Sequence, residues 1–532
     1  MGLYKSLLAT TTLPRQWGET LSVRESAYYC IFFIIFSLGV RAIFMFSNDL
    51  LVEEAYYWNY AAHLDFGYID HPPMVAVLIK TAEMLLGYSV WAIRIPALIC
   101  WASTAWFVRK LTLLITPKVE GYWAVMLLAL LPFFFLQSLV ITPDAPMLVA
   151  WAALLYYLYR CLVLLESRAW YKVGMWFGIG LLSKYTIVLL TLPIFVYIGT
   201  VSESRKWLLR KEPYWAIIIA LVIFSPVIYW NATHQWVSFL FQSTRRIDGE
   251  HAFTLHQVIG LLALFLTPIG IVAMQQLFRV THMLRADFST QGLRFIQFFT
   301  FVPIGFFCLY SLSHPVKFNW IGPSLLAFIP WIAYCLRDIL QNGVGDKGEK
   351  FVSKSLLNIG ARRTIMASLV IYTGMLIVVS CATPPLLYRL LFTKFIGWEN
   401  LARDFHAVAG EIEFKTHDKP YFAPLDRYNI ASELAYYQQH WVNREEQSTN
   451  YPVVGAHIFN IESLMYKYWD QEKHKAGKNL ILISPELSDF SNPVLKEKVV
   501  TRGPMKMIWA YSQRGQIPVR PYYYQWVQLN GR

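Results

Sequence analysis

Charge is what this sequence has least of. Only 15% of its 532 residues are Asp, Glu, Lys or Arg, whereas 56% are hydrophobic. A water-soluble chain of this size could not cover so much apolar surface, so a polytopic membrane protein is implied. Cysteine is scarcer still. The six residues Cys30, Cys100, Cys161, Cys308, Cys335 and Cys381 all fall inside apolar runs, and none pairs at a CxxC spacing. That excludes a disulfide framework and leaves everything beyond Cys381 without an internal disulfide. Catalytic signatures are missing too. No Walker loop, Rossmann glycine pattern, HExxH or GxSxG occurs, so nucleotide hydrolysis, dinucleotide chemistry and serine hydrolysis have no support. Internal repeats and low-complexity tracts are absent as well.

What is present fits a bilayer. Twenty Trp and 32 Tyr suit aromatic belts at the two interfaces. The net charge of +13 comes without any nucleic-acid reader motif, so no nucleic-acid partner is expected. Residues 1–26 are polar and carry Lys5, Arg15 and Arg24, and the apolar run behind them is long enough to span; this reads as a retained first helix rather than a cleaved signal.

Apolar runs fall near 27–46, 89–115, 121–141, 145–165, 173–186, 187–201, 214–231, 255–277, 295–312, 320–336 and 364–382. They give about eleven spans, with the short fifth and sixth forming a broken hairpin. The run 72–87 is interrupted by Lys80 and Glu83 and is expected to lie at the interface. With the N-terminus inside, the cytoplasmic loops collect Lys118, Arg168, Lys172, Arg205, Lys206, Arg210, Lys211, Arg279, Arg285, Lys347 and Lys350, whereas the opposite loops are poor in cations apart from Arg245 and Arg246. That asymmetry is the positive-inside pattern. An odd span count then places residues 384–532 outside, as a soluble α/β domain following a membrane domain of residues 1–383. Strand-like runs at 479–483 and 505–510 and a helix start at Ile430–Gln439 support that composition.

The outward loops carry the unusual polar residues. The first holds Glu53, Glu54, Asp70 and His71 among Tyr56, Tyr57, Trp58 and Tyr68. Acidic groups beside the bilayer are costly unless they bind or react, and a carboxylate in partly apolar surroundings gains proton affinity, which suits a general base. Asp144, between Pro143 and Pro146, either caps the next helix or is aimed by the prolines at the same cavity as Glu54. Lys184 lies at the turn of the short hairpin and His314, Lys317 and Asn319 precede the tenth span; all are placed to snorkel or to receive a phosphate. Carboxylates opposite cations suit transfer of a group from a membrane-anchored phosphate.

These segments also resemble a family. Glu53-Glu54-Ala55-Tyr56-Tyr57-Trp58, then Gly67-Tyr68 with Asp70-His71-Pro72-Pro73, Thr142-Pro143-Asp144-Ala145-Pro146, Leu182-Ser183-Lys184-Tyr185 and Lys317-Phe318-Asn319-Trp320 follow in the order found in the polyprenyl-phosphate-dependent membrane glycosyltransferases, which include protein O-mannosyltransferases and lipid A aminoarabinose transferases. The likeness covers about residues 30–340; Asp426-Arg427-Tyr428 and Ser432-Glu433-Leu434 are similar to the family as well.

The resemblance implies a mostly α membrane bundle of the GT-C type with a C-terminal periplasmic α/β domain, in a bacterial inner membrane. It implies an inverting transferase that takes a sugar from a polyprenyl-phosphate donor to a lipid A, lipopolysaccharide or other envelope acceptor. A protein O-mannosyltransferase and a non-enzymatic lipid-linked sugar flippase are the alternatives. By the same resemblance Glu54 or Glu53 activates the acceptor, assisted by Asp144. Asp70, His71, Lys184, Lys317 and Asn319 hold the substrate, and a divalent ion (Mg, Mn or Zn) sits on Glu54, Asp144 and Asp70. Two departures stand out. The first acidic position is Glu53 where the family usually has Asp, and Asp70-His71 replaces the Glu-Lys of aminoarabinose transferases.

Overall fold

The computed structural model describes residues 22–116, 121–247, 251–280, 289–342, 352–381, 385–386, 388, 396–444, 449–470, 477–513 and 517–530. The expected domain boundary at 383/384 and the loop cations Lys118, Arg285, Lys347 and Lys350 lie outside the described residues. Helix α1, Val23–Ser47, opens on a capping box: Ser22 Oγ accepts from the Glu25 amide at 3.3 Å, and the Glu25 carboxylate accepts from the Ser22 amide at 2.9 Å. Phe32, Ile35 and Phe46 project outward from it, as lipid-facing side chains do. Two shorter helices, α2 (Val52–Ala62) and α3 (Met74–Leu86), then occupy the loop that follows α1.

The bundle continues with α4 (Val90–Ile115), α5 (Tyr122–Leu130), α6 (Pro132–Leu136), α7 (Asp144–Leu162), α8 (Ala169–Ser183), α9 (Thr191–Thr200), α10 (Lys211–Thr233) and α11 (Val237–Ile247). It closes with α12 (Leu255–Val280), α13 (Thr290–Tyr310), α14 (Phe318–Ile321), α15 (Ile329–Asn342) and α16 (Val352–Cys381). Among the described residues, seven helices are long and apolar enough to cross a membrane, or up to nine if two bent pairs are each one span. Of the other expected runs, 121–141, 187–201 and 320–336 are interrupted, and 173–186 forms the 15-residue α8. Pro132 divides the run 121–141 into α5 and α6, because proline cannot supply the amide that would continue the first helix. The run 173–201 is interrupted at Lys184, whose extended backbone ends α8 and leads into a 3₁₀ turn, Tyr185–Leu190.

Glycines set the closest helix contact. Gly174 and Gly178, four residues apart on α8, lie directly against the Ala216 and Ala220 backbone of α10. Such small-residue spacing lets two backbones approach where a side chain would hold them apart.

After α16 the chain builds a mixed layer. Helix α17 (Trp398–Thr416) is followed by strand β1 (Tyr421–Pro424), helix α18 (Asn429–Asn443), the single turn α19 (Tyr466–Trp469), β2 (Asn479–Ser484), α20 (Pro493–Lys498), β3 (Val499–Arg502), β4 (Lys506–Tyr511) and β5 (Pro518–Leu529). The sheet runs β1-β2-β5-β3, with β1 parallel to β2, β5 antiparallel to its neighbours, and β4 also paired to β5. The helix start and both strand runs legible in the sequence are α18, β2 and β4.

One apolar core joins this layer to the first loop. Tyr56, Trp58 and Tyr60 of α2 share it with Leu434, Tyr436 and Tyr437 of α18 and with Phe405 of α17. The C-terminal layer is therefore seated on the loop that carries the acidic pair.

Candidate active site

Two buried polar clusters meet at one end of the helix bundle. The first is built on Asp144, the opening residue of α7, and Lys184, at the break after α8. The Lys184 ammonium donates to Asp144 Oδ1 at 2.7 Å, and the Asn319 amide donates to Asp144 Oδ2 at 2.7 Å. Lys184 and Asp144 are 7% and 3% exposed, so solvent contributes little to either charge. The helix break is what makes this possible: a continued α8 would carry the lysine around onto the helix surface.

The second cluster surrounds Tyr57 of α2. Asp70 accepts hydrogen bonds from the hydroxyls of Tyr60 and Tyr56, the latter at 3.3 Å, while its backbone carbonyl accepts from Gln242 of α11 at 2.6 Å. Burial raises the Asp70 carboxyl above its ordinary value, opposed by those hydroxyls and by Arg427. His71 meets Tyr57 edge-on, with ring centres 5.7 Å apart. Tyr57 is pushed well above its usual range by burial, then by the charges of Asp70, Asp144 and Glu53 and by Tyr428. That single phenol is thus within electrostatic reach of carboxylates from three places in the chain, and Asp144 links it to the lysine.

The two glutamates have separate environments. Glu54 is fully buried. Its carboxylate accepts from Arg94 Nη2 at 2.7 Å and from Arg94 Nε at 3.0 and 3.1 Å, and also from the amides of Leu51 at 3.1 Å and Ile141 at 3.2 Å. Arg94 in turn donates to the carbonyls of Asn48 and Asp49 at 2.7 and 2.6 Å. Glu54 is thus surrounded by donors on both carboxylate oxygens. Its lone pairs are already filled, and the residue ties the first loop to the second. Glu53 is half-buried one residue earlier, beside Tyr57 and Tyr428.

The three carboxylates expected to share a divalent ion are held apart by different partners. Glu54, Asp144 and Asp70 each have a different partner, and among the described residues no three His, Cys, Asp or Glu side chains gather as ligands. Lys317 is exposed at the start of α14, two residues from Asn319. His314 stacks on Tyr310 and meets the His251 ring at a tilt.

The C-terminal layer adds residues that the sequence reading did not place in the site. Asp426 caps α18 by accepting from the Asn429 amide at 2.6 Å, which turns Arg427 and Tyr428 back toward α2. Tyr428 packs on Tyr56 at 4.5 Å between ring centres. Glu433, on the next turn, is fully buried, and neither of its oxygens has a hydrogen-bond partner among the described residues. Burial raises its carboxyl well above the usual range, followed by the charges of Asp49, Glu54 and Glu53. The family-like strings Asp426-Arg427-Tyr428 and Ser432-Glu433-Leu434 were the available signal.

A multi-pass membrane bundle with buried carboxylates and a buried lysine at one end, and a sheet layer seated on its first loop, has the GT-C fold of polyprenyl-phosphate-dependent glycosyltransferases. The chain is similar to the crystal structure of ArnT from Cupriavidus metallidurans in the apo state, with a TM-score of 0.59 at 13% identity, covering 94% of this chain and 98% of that one. The same protein bound to undecaprenyl phosphate matches with a TM-score of 0.57. Residues 70–230, which include Asp70, His71, Asp144 and Lys184, match the family described as dolichyl-phosphate-mannose-protein mannosyltransferase. Among curated proteins, the lipid A galacturonosyltransferase RgtD of Rhizobium johnstonii is 26% identical over 196 residues, 36% of this chain and 40% of that protein. The lipopolysaccharide core galacturonosyltransferase RgtA of the same organism is 24% identical over 323 residues, 58% of this chain and 63% of that protein. The chain therefore spans less than two thirds of either relative.

Proposed function

We propose that this chain is an inverting glycosyltransferase that moves a sugar from a polyprenyl-phosphate carrier to lipid A, lipopolysaccharide or a related envelope glycan. In this reading it lies in a bacterial inner membrane, with the outer loops and the C-terminal layer in the periplasm. The observation that carries the reading is the Asp144–Lys184–Asn319 cluster standing beside the Glu53, Tyr57 and Asp70 group. The positive-inside pattern supports the orientation. The curated relatives named above, both galacturonosyltransferases of lipid A or lipopolysaccharide core, support the acceptor class. ArnT, solved with undecaprenyl phosphate, supports the donor class.

The residues suit a single displacement. The donor phosphate exchanges with Asp144 as the partner of Lys184, with Lys317 at the rim supplying further positive charge. The acceptor hydroxyl attacks the anomeric carbon from the opposite face. As the new oxygen–carbon bond forms, the bond from that carbon to the phosphate oxygen breaks, and the electron pair leaves on the phosphate held by the lysines. Glu53 takes the hydroxyl proton. Tyr57 and Asp70 contact the donor or acceptor sugar from the side.

Mass spectrometry of envelope lipids and glycans from a deletion strain tests the proposal. Loss of one sugar-sized increment from lipid A or core names donor and acceptor together. Intact envelope lipids with sugar missing from secreted Ser or Thr would favour a protein O-mannosyltransferase, the reading suggested by the family match over residues 70–230. An unchanged profile in both would overturn the transferase reading.

A further inference from the structure

A second concavity lies behind the first-loop helix, on the face away from Glu53 and Tyr57. It has a volume of about 470 Å³ and is enclosed by α2, α3, α18 and the segment around α19. Helix geometry explains the separation. On α2, residues 53 and 57 are one turn apart and face the Asp144 side, whereas Trp58, Asn59 and Ala62 line the concavity. Tyr56 and Tyr60, which bond Asp70, form the partition: Trp469, at the wall of the concavity, lies 6.5 and 5.9 Å from their ring centres.

Beside the carboxylates of Glu83 and Asp470, the lining has two kinds of surface. One is aromatic: Trp469 stacks on His63 at 4.7 Å, and Tyr88 and Tyr451 stand nearby. The other is a chain of amides. Gln439 Nε2 donates to Asn443 Oδ1 at 2.9 Å, and Asn450 Nδ2 donates to Gln439 Oε1 at 3.0 Å. That order aligns the three side chains, with the Asn443 amide and the Asn450 carbonyl at the two ends. Lys80 of α3 lines the same concavity and makes no ion pair among the described residues. Flat rings beside fixed planar amides are what a sugar ring needs, because its C–H face packs on an aromatic while its hydroxyls pair with amides.

The position of α3 adds the second half of the argument. Met84 and Leu85 are 78% and 76% exposed, and Val77 and Leu86 are exposed too. Lys80 and Met84 are neighbours four residues apart, so the polar rim of the concavity adjoins an apolar edge at headgroup depth. An occupant that satisfies both is an amphiphile with a glycan head.

We propose that this concavity binds sugar rings of the lipid-anchored acceptor glycan, away from the sugar that reacts, with Met84 and Leu85 dipping into the outer leaflet beside its acyl chains. The assignment rests on the transferase reading for the word acceptor, and on the cavity alone for the word glycan.

The test uses the full chain in lipid nanodiscs and two probes: intact core-bearing lipopolysaccharide, and the core oligosaccharide freed from it by mild acid. Oligosaccharide binding is followed by saturation-transfer NMR, and transfer to the intact lipid by mass spectrometry. Gln439→Ala with Asn443→Ala is expected to weaken oligosaccharide binding and raise the acceptor KM by about tenfold, the worth of one or two hydrogen bonds, while kcat and undecaprenyl-phosphate binding stay unchanged. Lys80→Gln provides a separate variant that leaves the amide chain intact, with the same direction of change. Wild-type protein that ignores the oligosaccharide, or variants with unaltered binding and KM, would overturn the proposal. Binding by the wild type that the variants weaken, without any sugar transfer, would uphold the glycan site and overturn the transferase reading instead.

Discussion

Lys184 and Asp144 form a 2.7 Å ion pair that is nearly closed to solvent, and the second oxygen of Asp144 is held by Asn319. A buried pair contributes little to stability as a whole but is costly to break, since removing one partner strands the other charge. Lys184→Met should therefore destabilise the protein by about 3–5 kcal/mol and abolish donor binding. The double variant Lys184→Met with Asp144→Leu should regain most of that stability and none of the activity. Thermal unfolding in detergent, with and without undecaprenyl phosphate, checks both arms. A single variant as stable as wild type, still stabilised by the carrier, would contradict the assignment.

The two adjacent glutamates should separate cleanly. Glu54→Gln breaks the Arg94 pair in a site without solvent, so a loss of roughly 3 kcal/mol in stability is expected, with activity falling only as folded protein is lost. Glu53→Gln removes no such contact. It should leave the melting temperature alone and lower kcat by about 10²–10⁴, the usual worth of a general base. If Glu54→Gln keeps its stability but loses turnover, the roles assigned here are reversed.

Stability should fall as pH rises, because of carboxyls that burial keeps protonated. Asp49 and Asp426 are both pushed up to about 6 by desolvation, and Glu433 well above its usual range. A carboxyl with a raised folded-state pKa binds more protons folded than unfolded. Its favourable contribution is complete below the unfolded value near 4 and is lost as pH climbs to the folded value. For the two aspartates the window is about pH 4 to 6; for Glu433 it extends higher. Each such proton changes stability by at most about 1.4 kcal/mol per pH unit. Glu433→Gln should accordingly flatten the upper part of the profile and raise the melting temperature at pH 8. A steeper profile in the variant would mean that Glu433 is ionised and paired in the folded protein.

Much of this was legible in the sequence, and the remainder was hidden for identifiable reasons. The apolar runs, the short helix at Met74–Leu86 and the grouping of Asp144, Lys184 and Asn319 at helix ends follow from hydropathy and loop charge. Arg94 was not legible, because a single arginine inside a long apolar run looks like a tolerated interruption. Only the folded chain brings it to Glu54, forty residues earlier. Arg427, Tyr428 and Glu433 were legible only as family-like strings, because they reach the first loop through the seating of α18 on α2, a long-range contact that their own sequence does not encode. The helix breaks were half visible: Pro132 announces one, whereas nothing around Lys184 except its charge announces the other.

That second break depends on how α8 is held, which gives a prediction far from the polar cluster. Gly174 and Gly178 press on α10; an added Cβ at Gly174 would sit 2.7 Å from the Ala216 Cα, and one at Gly178 would sit 2.7 Å from the Ile223 Cβ. At Gly174 the obstructing atoms are backbone, so the helices must separate rather than a side chain rotate. Gly174→Ala should cost about 1–3 kcal/mol as overpacking, outweighing the roughly 1 kcal/mol that alanine gains over glycine inside a helix. Because α8 ends at Lys184, displacing the helix also displaces that ammonium from Asp144. Turnover should therefore fall in protein that is still folded, with donor affinity reduced more than acceptor affinity. Gly199→Ala, in α9 where an added methyl meets nothing within 4 Å, is the matched control and should be neutral or slightly stabilising. Melting temperatures and donor titrations of the two variants check this together. Equal behaviour of both would show that the α8–α10 contact does not position the lysine.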